Sequence, residues 1–99
     1  MRLTSEQIRN VKPGNKIIKL FDGWGMYLLV TPKGYKWWRL KYYFEGKERL
    51  LALGVYPQVS LKQARKLRDD AKIMIFNGID PLAYKKEQKQ QKKAQALEV

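Results

Sequence analysis

Apolar and polar positions alternate most plainly between Tyr35 and Phe44. One parity carries Trp38, Leu40, Tyr42 and Phe44, and the other carries Tyr35, Trp37, Arg39, Lys41 and Tyr43. Side chains of a strand point to opposite faces in turn, so the run predicts a strand with an apolar side and a basic, aromatic side. A β-rich run, Met26–Thr31, precedes it across the turn signal Pro32-Lys33-Gly34. A second, Lys47–Leu53, follows across Glu45-Gly46. Three consecutive antiparallel strands are the expected outcome. Lys16–Phe21 adds a short edge strand, and Asp22-Gly23-Trp24-Gly25 has the residues of a turn.

Past the strands the period changes. Leu61, Ala64, Leu67, Ala71, Met74 and Ile75 recur at helical spacing, with Ser60 and Gln63 forming a capping box in front of them. Lys62, Arg65, Lys66, Asp69 and Lys72 fall outside this stripe, with Arg65–Asp69 and Lys66–Asp70 spaced as i,i+4 pairs. Asn77-Gly78 and Asp80-Pro81 stop the helix. Before it, Pro57 biases Tyr56 towards an extended connector. Thr4 and Gln7 form another capping box at the start of a short helix over Ser5–Asn10. So short a helix must dock through Leu3, Ile8 and Val11. From residue 82 the chain is rich in Lys and Gln without apolar periodicity, a basic linker, helical or disordered, that adds no core.

The predicted fold is α+β. An antiparallel sheet of three to four strands has one main helix packed on one face, with a short N-terminal helix and a basic C-terminal tail. Trp38, Leu40, Tyr42, Leu28, Val30, Leu51 and Leu53 meet the apolar stripe of the main helix. Residues 1–81 form the domain and residues 82–99 the linker. Covering one face of the sheet leaves the other open.

Composition narrows the function of that open face. Lys and Arg number 21 against nine Asp and Glu, a net charge of +12. Such an excess attracts polyanions, nucleic acid first and anionic membrane second. The chain has no Cys and no His, which removes disulfides, thiolate metal sites and the usual general base. No cofactor and no metal is expected. No apolar run is long enough to span a bilayer, and the N-terminus is too polar for a signal peptide. The carboxylates Glu45, Glu48, Asp69 and Asp70 read as solvated turn and helix charges. Asp22-Gly23-Trp24-Gly25 lacks the spacing and the Lys of a phosphate loop. The expectation is a soluble, intracellular, non-catalytic binding module.

A sheet ribbon fits the major groove of B-DNA. Trp37, Arg39, Lys41 and Tyr43 point outward from the middle strand, Tyr27, Leu29 and Thr31 from the first, and Leu50 and Ala52 from the third. Arg39 has the geometry to contact guanine O6 and N7 together, and Lys41 to contact a base or a phosphate. Lys33 and Lys36 flank the first turn within reach of phosphates, and Lys85, Lys86, Lys89, Lys92 and Lys93 can lie along a backbone. Two alternatives stay open. An aromatic sheet face also stacks unpaired RNA bases, and an exposed Trp37 also suits a protein partner.

Several stretches occur together in a known order: LTSEQIRNVKP (Leu3–Pro13), KLFDGWGMYLLVTPKG (Lys19–Gly34), KWWRLKYYFEGKE (Lys36–Glu48), LALGVYPQVSLKQAR (Leu51–Arg65) and NGIDP (Asn77–Pro81). In these the chain resembles the N-terminal arm-type DNA-binding domain of phage and genomic-island integrases, the P4-like tyrosine recombinases. The resemblance implies a small sheet with one packed helix, docking by its open face in the major groove of double-stranded DNA at arm-type sites. It implies DNA contacts from Tyr27, Leu29, Thr31, Lys36, Trp37, Arg39, Lys41 and Tyr43. Other integrase protomers or accessory DNA-bending proteins are its implied further partners, and the bacterial cytoplasm, in association with the nucleoid, is its implied location. The family's catalytic Arg, His and Tyr belong to a separate C-terminal domain, so the chain is expected to be a fragment that ends in the linker towards a core-binding domain. Trp24 stands where a small residue is expected, and Lys41 where Arg is usual.

Overall fold

The structure, a computed structural model, describes residues 2–88. Its elements run α1 (Ser5–Asn10), β1 (Ile18–Gly23), β2 (Met26–Val30), β3 (Lys36–Phe44), β4 (Lys47–Val55) and α2 (Leu61–Phe76). Residues 81–88 are helical as well. The four strands form one antiparallel sheet in the order β1-β2-β3-β4, each paired with its neighbour in the chain. The predicted α+β architecture is the one observed, with the edge strand displaced. Lys16 and Ile17 lie before β1, and Asp22 and Gly23 belong to it.

Turn chemistry sets these pairings. Trp24 and Gly25 turn with φ of 58° and 86°, and Glu45 and Gly46 with φ of 51° and 77°. Two successive positive φ values define the hairpin turn whose twist matches that of the flanking strands. Gly25 is required for a second reason. A Cβ there would lie 2.3 Å from the carbonyl oxygen of Lys41, while the Lys41 N–H donates to the Gly25 carbonyl at 2.8 Å. Backbone therefore touches backbone, and no side chain fits between.

The inner face packs as the alternation predicts. Trp38, Leu40, Tyr42, Leu28, Val30 and Leu51 are buried together with Leu61, Ala64 and Ala71 of α2, and Leu3 and Ile8 join them from the N-terminal segment. Leu53 lies at a bulge, unpaired between Ala52 and Gly54, and still packs against this cluster. The Trp38 indole N–H finds the carbonyl of Val59 at 2.7 Å, which satisfies its polar atom in the core. Both capping boxes form, at Thr4 and at Ser60. The Tyr56–Pro57 peptide bond is cis.

The stripe of α2 departs from its prediction. Leu67 is 40% exposed, and Arg68 is buried in its place at 8%. The reason is Asp22, which periodicity read as part of a turn. Its carboxylate accepts from Arg68 Nη1 at 3.0 Å, from Arg65 Nη2 and Nε at 2.8 and 3.0 Å, and from the Leu3 N–H at 2.8 Å. Arg65 is thereby withdrawn from the predicted pair with Asp69, which takes Arg68 Nε instead, while Lys66–Asp70 forms at 3.1 Å. Burial alone would raise the Asp22 pKa. The hydrogen bonds from Arg65 and Leu3 and the two guanidinium charges outweigh it, so the carboxyl sits below the ordinary carboxylate range.

A second polar node closes the C-terminal side. The Tyr42 hydroxyl donates to Asp80 Oδ1 and accepts from the Leu82 N–H at 3.4 Å. Asp80 also accepts from the Leu82 N–H at 3.1 Å and pairs with Arg49 Nε at 3.3 Å. Burial first, and the bond to Asp80 second, push the Tyr42 pKa up to about 12. Pro81 is buried and Lys85 Nζ donates to the Ala52 carbonyl at 2.9 Å. The start of the predicted linker is thus laid as a helix beside the free edge of β4. Lys89, Lys92 and Lys93 lie outside the described residues.

Candidate nucleic-acid interface

Pairing assigns the outer face residue by residue. Arg39 lies opposite Tyr27 and Ala52, Trp37 opposite Leu29 and Val55, Lys41 opposite Leu50, and Tyr43 opposite Glu48. Lys19 and Phe21 of β1 extend the face beside Leu29 and Tyr27. Among the described residues α1 and α2 pack against the inner cluster, and the helical residues 81–88 border the outer face along β4.

Along β3 the side chains form a stack. The rings of Tyr35 and Trp37 lie 6.0 Å apart and nearly parallel, at 11°. The Arg39 guanidinium sits 5.4 Å from the centroid of Trp37. Residues two apart on a strand share a face, so Trp37 is flanked by Tyr35 on one side and by Arg39 on the other. The guanidinium is fixed by this cation–π contact and by Nη1, which donates to the Trp38 carbonyl at 3.2 Å, and its other N–H donors are left for a ligand. Tyr43 and Leu50 stand exposed further along the strands. Lys41 Nζ pairs with Glu48 Oε1 at 2.6 Å, and this hydrogen bond raises the lysine pKa.

Not every residue singled out from the sequence is displayed there. Tyr27 lies on the outer face but is only 5% exposed, with the Phe21 ring 5.6 Å away and Lys19 Nζ over its own ring at 5.3 Å. Alternation assigns a face, and neighbours on that face decide whether a side chain is reachable. Leu29 is half-buried for the same reason. Thr31 is spent on the turn, where its hydroxyl accepts from the Tyr35 N–H at 3.0 Å. Lys33 is exposed at the tip of that turn. Lys36 requires a correction. It pairs with Val30 on the inner side, and its ammonium donates to the Ile8 carbonyl at 2.8 Å and lies 5.5 Å from the Tyr56 ring centroid. Residue 36 has the parity of Trp38, and the basic side chain caps the C-terminal turn of α1 instead of facing outward.

One residue that sequence reasoning passed over belongs to the face: Glu48, read as a solvated turn charge. Its parity with Leu50 and Ala52 carries the signal. Lys85 and Lys86, expected in a tail, stand beside the sheet. With Arg39, Leu50, Ala52 and Leu82 they line an open groove of about 470 Å³ along β4. Trp24, at the tip of the β1–β2 hairpin, is 71% exposed.

The chemistry on offer is donor-rich. Among the described residues no group of three or more carboxylates is placed to hold a metal. No helix among them is long and apolar enough to cross a membrane.

Residues 3–88 match the family model described as the arm DNA-binding domain. The chain is 47% identical over 89 residues to the integrase of Enterobacteria phage P4, covering 88% of the chain and 20% of that protein. It is 44% identical over 84 residues to the integrase of Shigella phage Sf6, covering 85% and 22%. The prophage integrase IntZ of Escherichia coli K12 is 39% identical over 89 residues, again 88% of the chain and 22% of the relative. The chain spans about a fifth of the length of these curated relatives. It belongs to the arm DNA-binding domain family, a DNA-binding domain similar over most of its own length to phage and prophage integrases.

Proposed function

We propose that the outer sheet face enters the major groove of duplex DNA at arm-type sites, and that the chain is the non-catalytic DNA-binding part of a site-specific tyrosine recombinase. The observation that carries this reading is the Tyr35–Trp37–Arg39 stack, which fixes a guanidinium on the sheet face turned away from α1 and α2. In a groove, Arg39 takes guanine O6 and N7 as a bidentate pair. Lys41 and Tyr43 reach base edges or backbone further along β3, and Leu50 and Ala52 offer apolar surface to thymine methyls. Lys33 at one end and Lys85 and Lys86 beside β4 take phosphates, which fix position without reading sequence. Leu29 and Thr31 border the contact. Tyr27 supports it from beneath, and Lys36 holds α1 in place.

The same stack favours DNA over unpaired RNA. Base stacking needs a free aromatic face, and Trp37 has Tyr35 against one side and Arg39 against the other. Other integrase protomers and accessory DNA-bending proteins would meet this domain through neighbouring arm sites, and nucleoid association follows from the same reading.

Selection of bound duplexes from a random pool tests the proposal, together with a salt titration on the winning sequence. The expected result is an enriched motif and a fall of log K with log salt at a slope of roughly −4.5, for about five neutralised phosphates. A flat salt response, or tighter binding to single-stranded RNA than to the selected duplex, overturns it.

A further inference from the structure

The outer face carries one carboxylate among the side chains that pairing assigns to it. Glu48 stands opposite Tyr43, and it crosses diagonally to Lys41 at 2.6 Å. Both side chains stay open to solvent, at 52% and 48%. On a surface that meets phosphates and base acceptors an isolated carboxylate is repelled, so its presence calls for a chemical reason. Neutralising Lys41 would be one such reason, but it would leave the face with less charge and nothing gained. The geometry points to another.

An ammonium bound to one carboxylate oxygen keeps two N–H donors, and the carboxylate keeps its remaining lone pairs. The pair therefore presents a donor and an acceptor side by side, about one hydrogen-bond length apart. The major-groove edge of a base pair presents the complement at the same spacing. Guanine O6 lies next to cytosine N4–H₂, and thymine O4 next to adenine N6–H₂, because each couple is itself hydrogen-bonded across the pair. Resting on the major-groove reading above, we infer that Lys41 and Glu48 act as one specificity unit. Lys41 donates to the keto oxygen of one base while Glu48 accepts from the amino group of its partner. Reversing the base pair puts amino group against ammonium and keto oxygen against carboxylate, so the unit reads polarity. Guanine is favoured over thymine beneath Lys41, since N7 adds a second acceptor where thymine brings a methyl group. A lone lysine would accept any acceptor within reach, and the carboxylate is what makes its choice directional.

The test uses the full 99-residue chain. Duplexes are selected from a random pool with the wild type, with Glu48→Ala and with Lys41→Ala. The wild type is expected to show one G·C position at which reversal to C·G weakens binding roughly tenfold. Both variants should lose that preference at the same base pair, to within about twofold, while enrichment elsewhere in the motif persists. Binding of Glu48→Ala to random duplex should hold or tighten, since a negative charge has left the face. An unchanged motif with uniformly tighter binding reduces Glu48 to a neutraliser and overturns the inference. Loss of preference at two different base pairs overturns the idea of a single unit. A wild type that enriches no duplex sequence removes the major-groove reading itself, a result distinct from either.

Discussion

Arg68 Nη1 donates to Asp22 Oδ2 at 3.0 Å across 46 positions of chain, with the two side chains 9% and 1% exposed. This contact fastens the middle of α2 to the end of β1, and the Leu3 N–H on the other carboxylate oxygen draws the N-terminal segment into the same node. Asp22→Ala leaves the buried Arg68 guanidinium with the exposed Asp69 carboxylate as its remaining counter-charge. Complete loss of a buried partner typically costs about 3–5 kcal/mol, and Asp69 holds this case to the lower end, about 3 kcal/mol. For so small a domain that is a large share of the total. Urea unfolding should show a much lower midpoint for Asp22→Ala. Asp22→Asn, which keeps the shape and one acceptor, should fall between the two.

Acid weakens the same node, and the sign follows from the direction of its pKa shift. The Asp22 carboxyl is depressed below its ordinary value of 3.8. Its stabilising contribution is therefore fully present above that value and is lost as pH falls through the lower folded value. Thermal unfolding from pH 7 down to pH 2 should show a decline below about pH 4 that is smaller in Asp22→Asn. Parallel curves for the two proteins would assign the acid sensitivity to other carboxylates.

Tyr42 supplies the alkaline counterpart. Its pKa is raised to about 12 from 10.0, by burial and by the hydrogen bond to Asp80. A phenol held neutral in this way stabilises fully below its unfolded pKa, and the contribution fades as pH rises from 10 towards 12. Two units correspond to up to roughly 2–3 kcal/mol. Tyr42→Phe should lose about 1–3 kcal/mol at neutral pH, since Asp80 is deprived of a donor, and should lack this component of the alkaline decline.

These two nodes mark what pattern reading could and could not reach. Alternation placed Trp38, Leu40 and Tyr42 inside and Trp37, Arg39 and Lys41 outside, because parity within a strand is a local property. Burial of Arg68 is not local. It depends on Asp22 arriving from another element, so a helical period that counts Arg as polar places Leu67 in its stead. Tyr27 failed in a related way, since its cover comes from Phe21 and Lys19 on the neighbouring strand. Lys36 lies beside a turn, yet its parity with Trp38 directs it inward to the Ile8 carbonyl, and that parity is legible in the sequence. The helical course of residues 81–88 rests on Asp80, Pro81 and Lys85 meeting Tyr42, the buried interior and Ala52, contacts no Lys- and Gln-rich composition announces.

At Arg39 the expected loss concerns recognition more than folding, because the side chain borders solvent. Arg39→Ala should weaken binding to the selected duplex by about 1–3 kcal/mol and relax preference at one base pair. Arg39→Lys should recover charge without the planar fork or the stack on Trp37, and so recover affinity for random duplex but not discrimination. Competition binding with matched and mismatched duplexes separates the two components. Equal losses on selected and random duplex would make Arg39 a phosphate contact.

Lys86 should behave in the opposite manner. It lines the groove beside β4 with Arg39 and Lys85, at the margin of the face where a backbone would pass. A single phosphate contact contributes to affinity on every sequence alike and adds about 0.9 to the salt slope. Lys86→Ala should therefore flatten the slope by about that amount and weaken selected and random duplexes by the same factor, leaving the enriched motif intact. Lys85→Ala should do more than this, because the Lys85 ammonium also holds residues 81–88 to the Ala52 carbonyl. If Lys85→Ala alters only the slope, as Lys86→Ala is expected to, the contact to Ala52 has no part in presenting the groove. If it also lowers the affinity left at high salt, where the ionic contribution is screened, that contact is what positions this helix against DNA.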